Sequence, residues 1–458
     1  MKERPLSSVA EAVGGRLIGE DRMIGGAVTD SRDVRSNDLY VALVGQRADG
    51  HDFVAEAFER GAAGALVARG INYGGPVIVV GDTGRALMDL AADEREQMSA
   101  RVLAITGSTG KTSVKDLTAA VLALRYRVTA SPRSFNTEVG VPLTLLAASP
   151  EDTEVVVCEM GSRGRGHISL LARVARPHVG VVTNVGPAHL EMFGSLEGVA
   201  EAKAELVEAL PQDGTAVLNA DDPHVRDFAR RTKARTLLYG TSADSAVRGE
   251  ELSLDAEGRA SFTLRTPEGS ERVELAVPGE HMAWNALAAC GGAVALGLSA
   301  GECAAALKEA RISPWRMEVF HTADGVRVIN DAYNANPASM GAALKAARWM
   351  AGEGRCIAVL GEMAELGGIS EEEHERIGEL VARLGIERLI TVGTPARRIS
   401  VGAVREGVEP ERVTACETVE EALAAVRSST QAGDVLLVKA SRRAGLERLA
   451  EALRGDEE

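Results

Sequence analysis

The stretch Arg101 to Ser113, RVLAITGSTGKTS, limits the fold more than any other part of the chain. Arg101 to Thr106 is a short apolar run, β-branched in places, and it suits a buried strand. Gly107-Ser108-Thr109-Gly110-Lys111-Thr112 follows, and a helical pattern runs from Ser113 to Leu124. Strand, glycine loop and helix together form a setting in which backbone N–H groups turn toward a phosphate. The helix N-terminus adds partial positive charge. Lys111 is expected to reach the outer phosphates of a nucleotide, and the Thr112 hydroxyl to hold Mg²⁺. Ile105 stands where the full Walker pattern has its first glycine, so a plain Gly-Lys turn after a strand remains the alternative.

A chain of 458 residues has room for about two to four domains. Its net charge of −15 argues against general binding to nucleic acid or anionic membrane, which need a broad basic face. The N-terminal MKERPLSSVAEAVGG has no long apolar core, so no signal peptide is expected there. No run approaches the ~20 apolar residues of a membrane span. Cys158, Cys290, Cys303, Cys356 and Cys416 lie far apart without a CxxC pair. They read as buried thiols of a protein in the reducing cytoplasm. No long exposed apolar stripe suggests an obligate dimer, so a monomer is expected.

The pattern predicts an α/β protein of three domains. Residues 1–97 read as a small α/β domain, with polar loops at Thr29-Asp30-Ser31-Arg32 and Gly45 to His51. Its last part, from about residue 82, reads as a polar, helix-prone connector. Residues 98–313 alternate strands and helices, which argues a mostly parallel sheet with a crevice at the strand C-termini. Short alternating segments from Ala246 to Pro278 suggest an antiparallel edge. Residues 314–458 read as a second doubly wound, Rossmann-like unit. The acidic run Glu371-Glu372-Glu373 is expected to open a helix, where negative charge suits the dipole.

Other residues can be asked whether they complete a nucleotide site. Glu159 sits just past the apolar run Val155-Val156-Val157, where a phosphate-loop protein holds its Mg²⁺. His189 lies in a loop after another apolar strand, where a structural role is equally open. Lys203 falls on the apolar stripe of LEGVAEAKAELVEAL, where an aliphatic residue would be expected. A buried lysine is costly unless paired, neutralised or modified, although its stem could instead snorkel. Asn285 opens a helical pattern and could be a cap. Arg316 and the polar loop Asp331-Ala332-Tyr333-Asn334-Ala335-Asn336-Pro337 would face the central domain if two domains close over a nucleotide.

Together these pieces resemble the Mur ligases, ATP-dependent amide-forming enzymes of peptidoglycan synthesis. The resemblance spans essentially the whole chain. It rests on TGSTGKTS (106–113), EMGSRGRGHI (159–168), TNVGPAHLEMFGSLEGVAEAKAEL (183–206), LNADD (218–222) and GEHMAWNALAA (279–289). Within the family, SFNTEVGVPLTLL, NDAYNANPASM, VLGEMAELG and GDVLLVKASR are similar to the members that add D-alanyl-D-alanine to UDP-N-acetylmuramoyl-tripeptide. The stretch 29–53 looks like the UDP-sugar-binding domain.

The resemblance implies roles for individual residues. Gly107, Ser108, Thr109, Gly110, Lys111, Thr112 and Ser113 would form the ATP phosphate loop. Thr112 and Glu159 would hold one Mg²⁺, and His189 and Lys203 a second, with Lys203 carbamylated by CO₂. Asn285 would contact adenine, Asp331 the ribose and Arg316 the γ-phosphate. Ser31, Asn136 and Thr137 would lie near the UDP-muramoyl substrate, and Tyr333, Asn334 and Asn336 are candidates for substrate contact. The family's GDM reads Gly361-Glu362-Met363 here, and the DNPR motif that grips diaminopimelate in other members is absent. Another Mur-type or folyl-polyglutamate-type ligase, and a non-catalytic ATP-binding protein on the same scaffold, are the alternatives to be discriminated.

Overall fold

The computed structural model describes residues 1–45, 48–70, 73–187 and 190–455. An N-terminal sheet contains β1 (Arg16–Ile18), β2 (Gly26–Val28), β3 (Asp38–Val41), β4 (Gly64–Val67) and β5 (Val77–Val79). Their order is β1-β5-β4-β3-β2, parallel except for β1. The short β1, and the ladder of Arg4–Pro5 with Met23–Ile24, have too few residues to show a period.

The segment that reads as a polar, helix-prone connector is a helix, as expected, α1 (Thr83–Gln97), but it is no linker. Ala86, Leu87, Leu90 and Ala91 are buried in one core with Leu145, Leu146, Ile168 and Leu171. Burying each leucine contributes about 2 kcal/mol. The helix looks polar because Glu94 and Arg95 are also buried. Glu94 accepts the Lys2 N–H at 2.8 Å, and Arg95 Nε donates to the Ala175 carbonyl at 2.8 Å. The helix therefore joins the N-terminal sheet to the central layer.

The central sheet has nine strands: β6 (Arg101–Thr106), β7 (Val128–Ala130), β8 (Val155–Glu159), β9 (Val179–Val182), β10 (Thr215–Asn219), β11 (Arg235–Gly240), β12 (Val247–Leu254), β13 (Arg259–Thr266) and β14 (Gly269–Pro278). The order is β14-β13-β12-β11-β10-β9-β6-β8-β7. Strands β7 to β12 and β6 are parallel, and β12, β13 and β14 form the expected antiparallel edge. Val, Leu and Ile dominate β6 and β8 because both sheet faces are covered. The chain leaves β6 for β7 and β8 on one side, then crosses to β9 on the other. The crevice at that switch lies directly after β6.

The helices that frame the crevice are α2 (Lys111–Leu122), α3 (Gly140–Ala147), α4 (His167–Ala175), α5 (Leu196–Glu208) and α6 (His281–Ala295). The C-terminal sheet holds β15 (Glu318–His321), β16 (Arg327–Asn330), β17 (Cys356–Leu360), β18 (Arg388–Val392), β19 (Val413–Cys416) and β20 (Val435–Lys439). Its order is β15-β16-β20-β17-β18-β19, parallel except for β15. Helix α7 (Pro337–Ala351) packs on it, and α8 (Ser370–Arg383) opens with the acidic run, as expected.

The chain's three tryptophans stand where the central and C-terminal layers meet. Trp284 lies on α6 and Trp315 in the connecting segment, its ring 4.3 Å from the Arg442 guanidinium. Trp349 on α7 donates from Nε1 to the Asp255 carbonyl, 2.8 Å away in the turn after β12. The five cysteines are buried and unbridged. Among the described residues no helix is long and apolar enough to cross a membrane.

Candidate active site

The loop after β6 is held open by glycine. Gly107 has φ 148°, and a Cβ there would come 1.8 Å from Thr183 Oγ1. Gly110 takes φ 78° as the N-cap of α2, and a Cβ there would lie 2.4 Å from Asn285 Oδ1. The helix begins at Lys111, two residues before the helical pattern expected from the sequence. The end of β9 braces the loop from behind. Asn184 Oδ1 accepts the Thr109 N–H at 2.9 Å, and Thr183 Oγ1 donates to the Thr109 carbonyl at 2.6 Å. Ser108 Oγ contacts the Gly186 carbonyl and N–H at 3.1 and 2.9 Å.

Lys111 curls over this loop, its Nζ donating to the carbonyls of Gly107 and Ser108 at 2.7 and 3.2 Å. Burial lowers its pKa from 10.5; Arg316 acts in the same direction and Glu159 against it. Glu159, 1% exposed, ends β8 opposite Ile105 of β6. Its Oε2 accepts from Thr112 Oγ1 at 2.7 Å and its Oε1 from Asn136 Nδ2 at 2.7 Å. Ser113 and Thr137 line the same cleft.

Lys203 is 2% exposed on α5, as its place on the apolar stripe predicts, and the snorkelling alternative falls because its nitrogen is buried too. Nζ donates to Ser162 Oγ at 2.8 Å. Burial, then the charge of Lys111, pushes its pKa well below 10.5. His189 lies outside the described residues. Among the described residues, no group of three or more His, Cys, Asp or Glu side chains is placed to hold a metal ion. The Thr112 hydroxyl and Glu159 carboxylate are nevertheless the hard oxygen donors that suit Mg²⁺.

The C-terminal domain reaches into the cleft. Arg316 Nη2 donates to Thr112 Oγ1 at 2.8 Å and to Ser134 Oγ at 3.0 Å. Its guanidinium lies over the Tyr333 ring, 4.0 Å from the centroid. Asp331 is paired with Lys439, Nζ to Oδ2 at 2.6 Å. Asn334, three residues further along the loop, gives its carbonyl to the same lysine at 2.9 Å. Asn336 caps α7 in a reciprocal box with Ser339, so its side-chain oxygen is already engaged.

Asn285 is the fifth residue of α6 and does not cap it; the helix starts at His281. It is buried beside Gly110, and its Nδ2 contacts Met282 Sδ at 3.3 Å. Trp284 Nε1 donates to Asp221 Oδ2 at 2.9 Å. His281 lines the cleft with its Nδ1 buried and unpartnered. Burial lowers its pKa from 6.5, with Lys439 reinforcing the shift and Asp331 opposing it.

These groups face one cleft of about 1680 Å³ between the layers. Gly45 and Ala48, in the loop after β3, line it from the N-terminal domain. Ser31 does not join the others: it is buried, donates to Glu56 Oε2 at 3.2 Å, and is absent from the lining. Sequence reasoning missed Ser134, Ser162, Asn184 and Lys439. All four lie in stretches that carry the family resemblance, and Lys439 is in addition a lysine ending an apolar strand. Chemically, the cleft offers a phosphate cradle, a carboxylate–hydroxyl pair and cations from two domains.

Three family models match the chain in order: the Mur ligase family, catalytic domain over residues 24–97, the Mur ligase middle domain over 105–293, and the Mur ligase, glutamate ligase domain over 315–442. The UDP-N-acetylmuramoyl-tripeptide–D-alanyl-D-alanine ligase of Mycobacterium tuberculosis is 42% identical, over 100% of this chain and 99% of that protein. A crystal structure of MurF from Acinetobacter baumannii superposes with a TM-score of 0.88 at 30% identity, covering 99% of both chains. MurF ligase from Thermotoga maritima in complex with ADP gives 0.81 at 28% identity, over 94% of this chain and 97% of that one. The chain belongs to the Mur ligase family.

Proposed function

We propose that this protein is an ATP-dependent ligase that joins D-alanyl-D-alanine to UDP-N-acetylmuramoyl-tripeptide in peptidoglycan precursor synthesis. The observation that carries the reading is the meeting of Thr112, Glu159 and Arg316 over a phosphate loop, with the two domains contributing different charges. The relatives that match over their full length bear the name of this activity.

The tripeptide's terminal carboxylate attacks the γ-phosphorus of ATP and ADP leaves, giving an acyl-phosphate. Lys111 and Arg316 stabilise the charge spread over the transferring phosphoryl oxygens. The free amine of D-alanyl-D-alanine then attacks the acyl carbon, and the tetrahedral intermediate expels phosphate. Thr112 and Glu159 would hold Mg²⁺, which when bound neutralises charge on the β- and γ-phosphate oxygens. An ammonium at Lys203 cannot ligate a second Mg²⁺. Burial disfavours the ammonium there; the carbamate formed when CO₂ adds to the unprotonated amine, with loss of a proton, would ligate that ion, together with His189. Asn285 serves the adenine, Asp331 the ribose, and Asn136 and Thr137 the muramoyl substrate.

The domains in this reading are 1–97 for the UDP-muramoyl substrate, 98–313 for ATP and 314–458 for the dipeptide. The enzyme works as a cytoplasmic monomer. The test is phosphate release from ATP and Mg²⁺ with UDP-N-acetylmuramoyl-tripeptide, with and without D-alanyl-D-alanine. Release that needs both, with the nucleotide product gaining the dipeptide's mass, is the expected result. Release with a different amine or acceptor would move the substrate assignment to another Mur-type ligase. ATP binding without turnover for any amine would favour a non-catalytic protein.

A further inference from the structure

Arg316 is flanked by two residues in the left-handed region, Trp315 at φ 61° and Met317 at φ 50°. Residues with a Cβ adopt this backbone rarely, and only where their surroundings hold it. Here the holders can be named. The Met317 N–H donates to Asp331 Oδ1 at 3.1 Å, and the Trp315 N–H to Glu318 Oε2 at 3.2 Å. The Trp315 carbonyl accepts the Tyr333 N–H at 3.1 Å.

Asp331 is fixed in turn by Lys439. The ammonium donates to Asp331 Oδ2 at 2.6 Å and to the carbonyls of Asn334 and Asp331 at 2.9 and 3.4 Å. The lysine is 2% exposed. Three acceptors take up its three hydrogens, which leaves no donor for a ligand. The pairing is built into the sheet: β16 and β20 lie in register, Asn330 opposite Val438, so the next residue of each strand meets the other. One carboxylate thus carries the lysine on one oxygen and the bend beside Arg316 on the other.

We propose that Lys439 is a positioning residue for phosphoryl transfer, acting through Asp331 and Met317 to hold the left-handed bend that presents Arg316 to the phosphate loop. The proposal rests on the ligase reading above and gives Asp331 a task besides any ribose contact. A charged group displaced by about 1 Å from its productive position costs about 10²-fold in rate.

The test compares Lys439→Met, Lys439→Arg, Arg316→Ala and the double variants with the wild type, by steady-state phosphate release, ATP calorimetry and thermal melting. Lys439→Met is expected to lower kcat by about 10²-fold, with the KM and calorimetric affinity for ATP changed by less than about 3-fold. Lys439→Arg, which keeps a cation on Asp331, recovers part of that loss. In the Arg316→Ala background neither Lys439 substitution lowers kcat further. Losses that multiply, a loss confined to the KM for ATP, or equal impairment by Met and Arg overturns the proposal. If Lys439→Met does not fold, Lys439→Arg in the two backgrounds decides by the same non-additivity. Wild-type turnover is the control. Its absence removes the ligase reading and this proposal with it; where wild-type turnover is normal, the variants alone decide the role of Lys439.

Discussion

Arg316 Nη2 and Thr112 Oγ1 stand 2.8 Å apart across the boundary between the C-terminal and central domains. The guanidinium therefore reaches the hydroxyl that opens α2 beside the phosphate loop, where a transferring phosphoryl group would develop charge. Arg316→Ala is expected to lower kcat for phosphate release by about 10³-fold, the lower bound for a cation supplied to such a transfer. The KM for ATP should change far less, because the loop and Asn285 remain. Steady-state kinetics at saturating acceptor check this, and a loss confined to KM would contradict it.

Lys203→Met should separate stability from activity. Lys203 Nζ is buried against the Ser162 hydroxyl, so removing the ionisable group relieves a desolvation cost. In CO₂-free, Mg²⁺-free buffer at neutral pH the variant should be more stable by on the order of 1 kcal/mol, while in buffer with Mg²⁺ and bicarbonate, where the wild type turns over, its turnover is lost. The sign follows from the depressed pKa: the unfolded lysine keeps its proton up to about 10.5, and the folded one gives it up earlier. The cost to the wild type therefore shrinks as pH rises toward 10.5, and so should the variant's advantage. Chemical denaturation across that range measures it.

Gly107→Ala should abolish nucleotide binding. The added Cβ would fall on Thr183 Oγ1 and lie 3.2 Å from the Asn184 backbone nitrogen, and φ 148° is itself unsuited to alanine. Relief requires the loop to move away from the end of β9, at a cost of about 1–3 kcal/mol. Calorimetry with ATP and a melting curve report the two effects separately.

Acid should loosen the C-terminal domain through His374. Its Nε2 accepts the Met363 N–H at 2.9 Å and its Nδ1 meets the Ser370 carbonyl at 2.7 Å, a pairing that requires the neutral ring. Burial lowers the pKa below 6.5. The stability this adds is present above 6.5 and is lost as pH falls below it, because only the unfolded ring takes up the proton. The loss is at most about 1.4 kcal/mol per pH unit. Melting temperatures between neutral pH and pH 5 should fall less steeply in His374→Gln than in the wild type.

Local pattern carries the phosphate loop, the parallel strands and Lys203, because each is a short-range signal of turn chemistry or periodicity. Glu159 is legible for the same reason, as the acid at the end of an apolar run. The contacts that complete the site are long-range. Lys439 meets Asp331 only because β16 and β20 pair in the folded sheet. Nothing near Ser31 announces that Glu56 will take its hydroxyl. The helix Thr83–Gln97 reads as a connector because its buried acid and base look like solvated charges, and only the central layer satisfies them. Asn285 reads one turn too early in its helix because His281, a weak helix opener, begins α6.

The three tryptophans make the domain junction optically self-reporting. Trp284 faces the cleft from the central domain, Trp315 sits under Arg442 in the connecting segment, and Trp349 bonds the Asp255 carbonyl from the C-terminal side. All the indole emission of this chain thus arises where the two domains meet. A change in its intensity or wavelength on adding ATP would report any rearrangement of this junction in solution without a dye, and the unmodified enzyme is its own sensor.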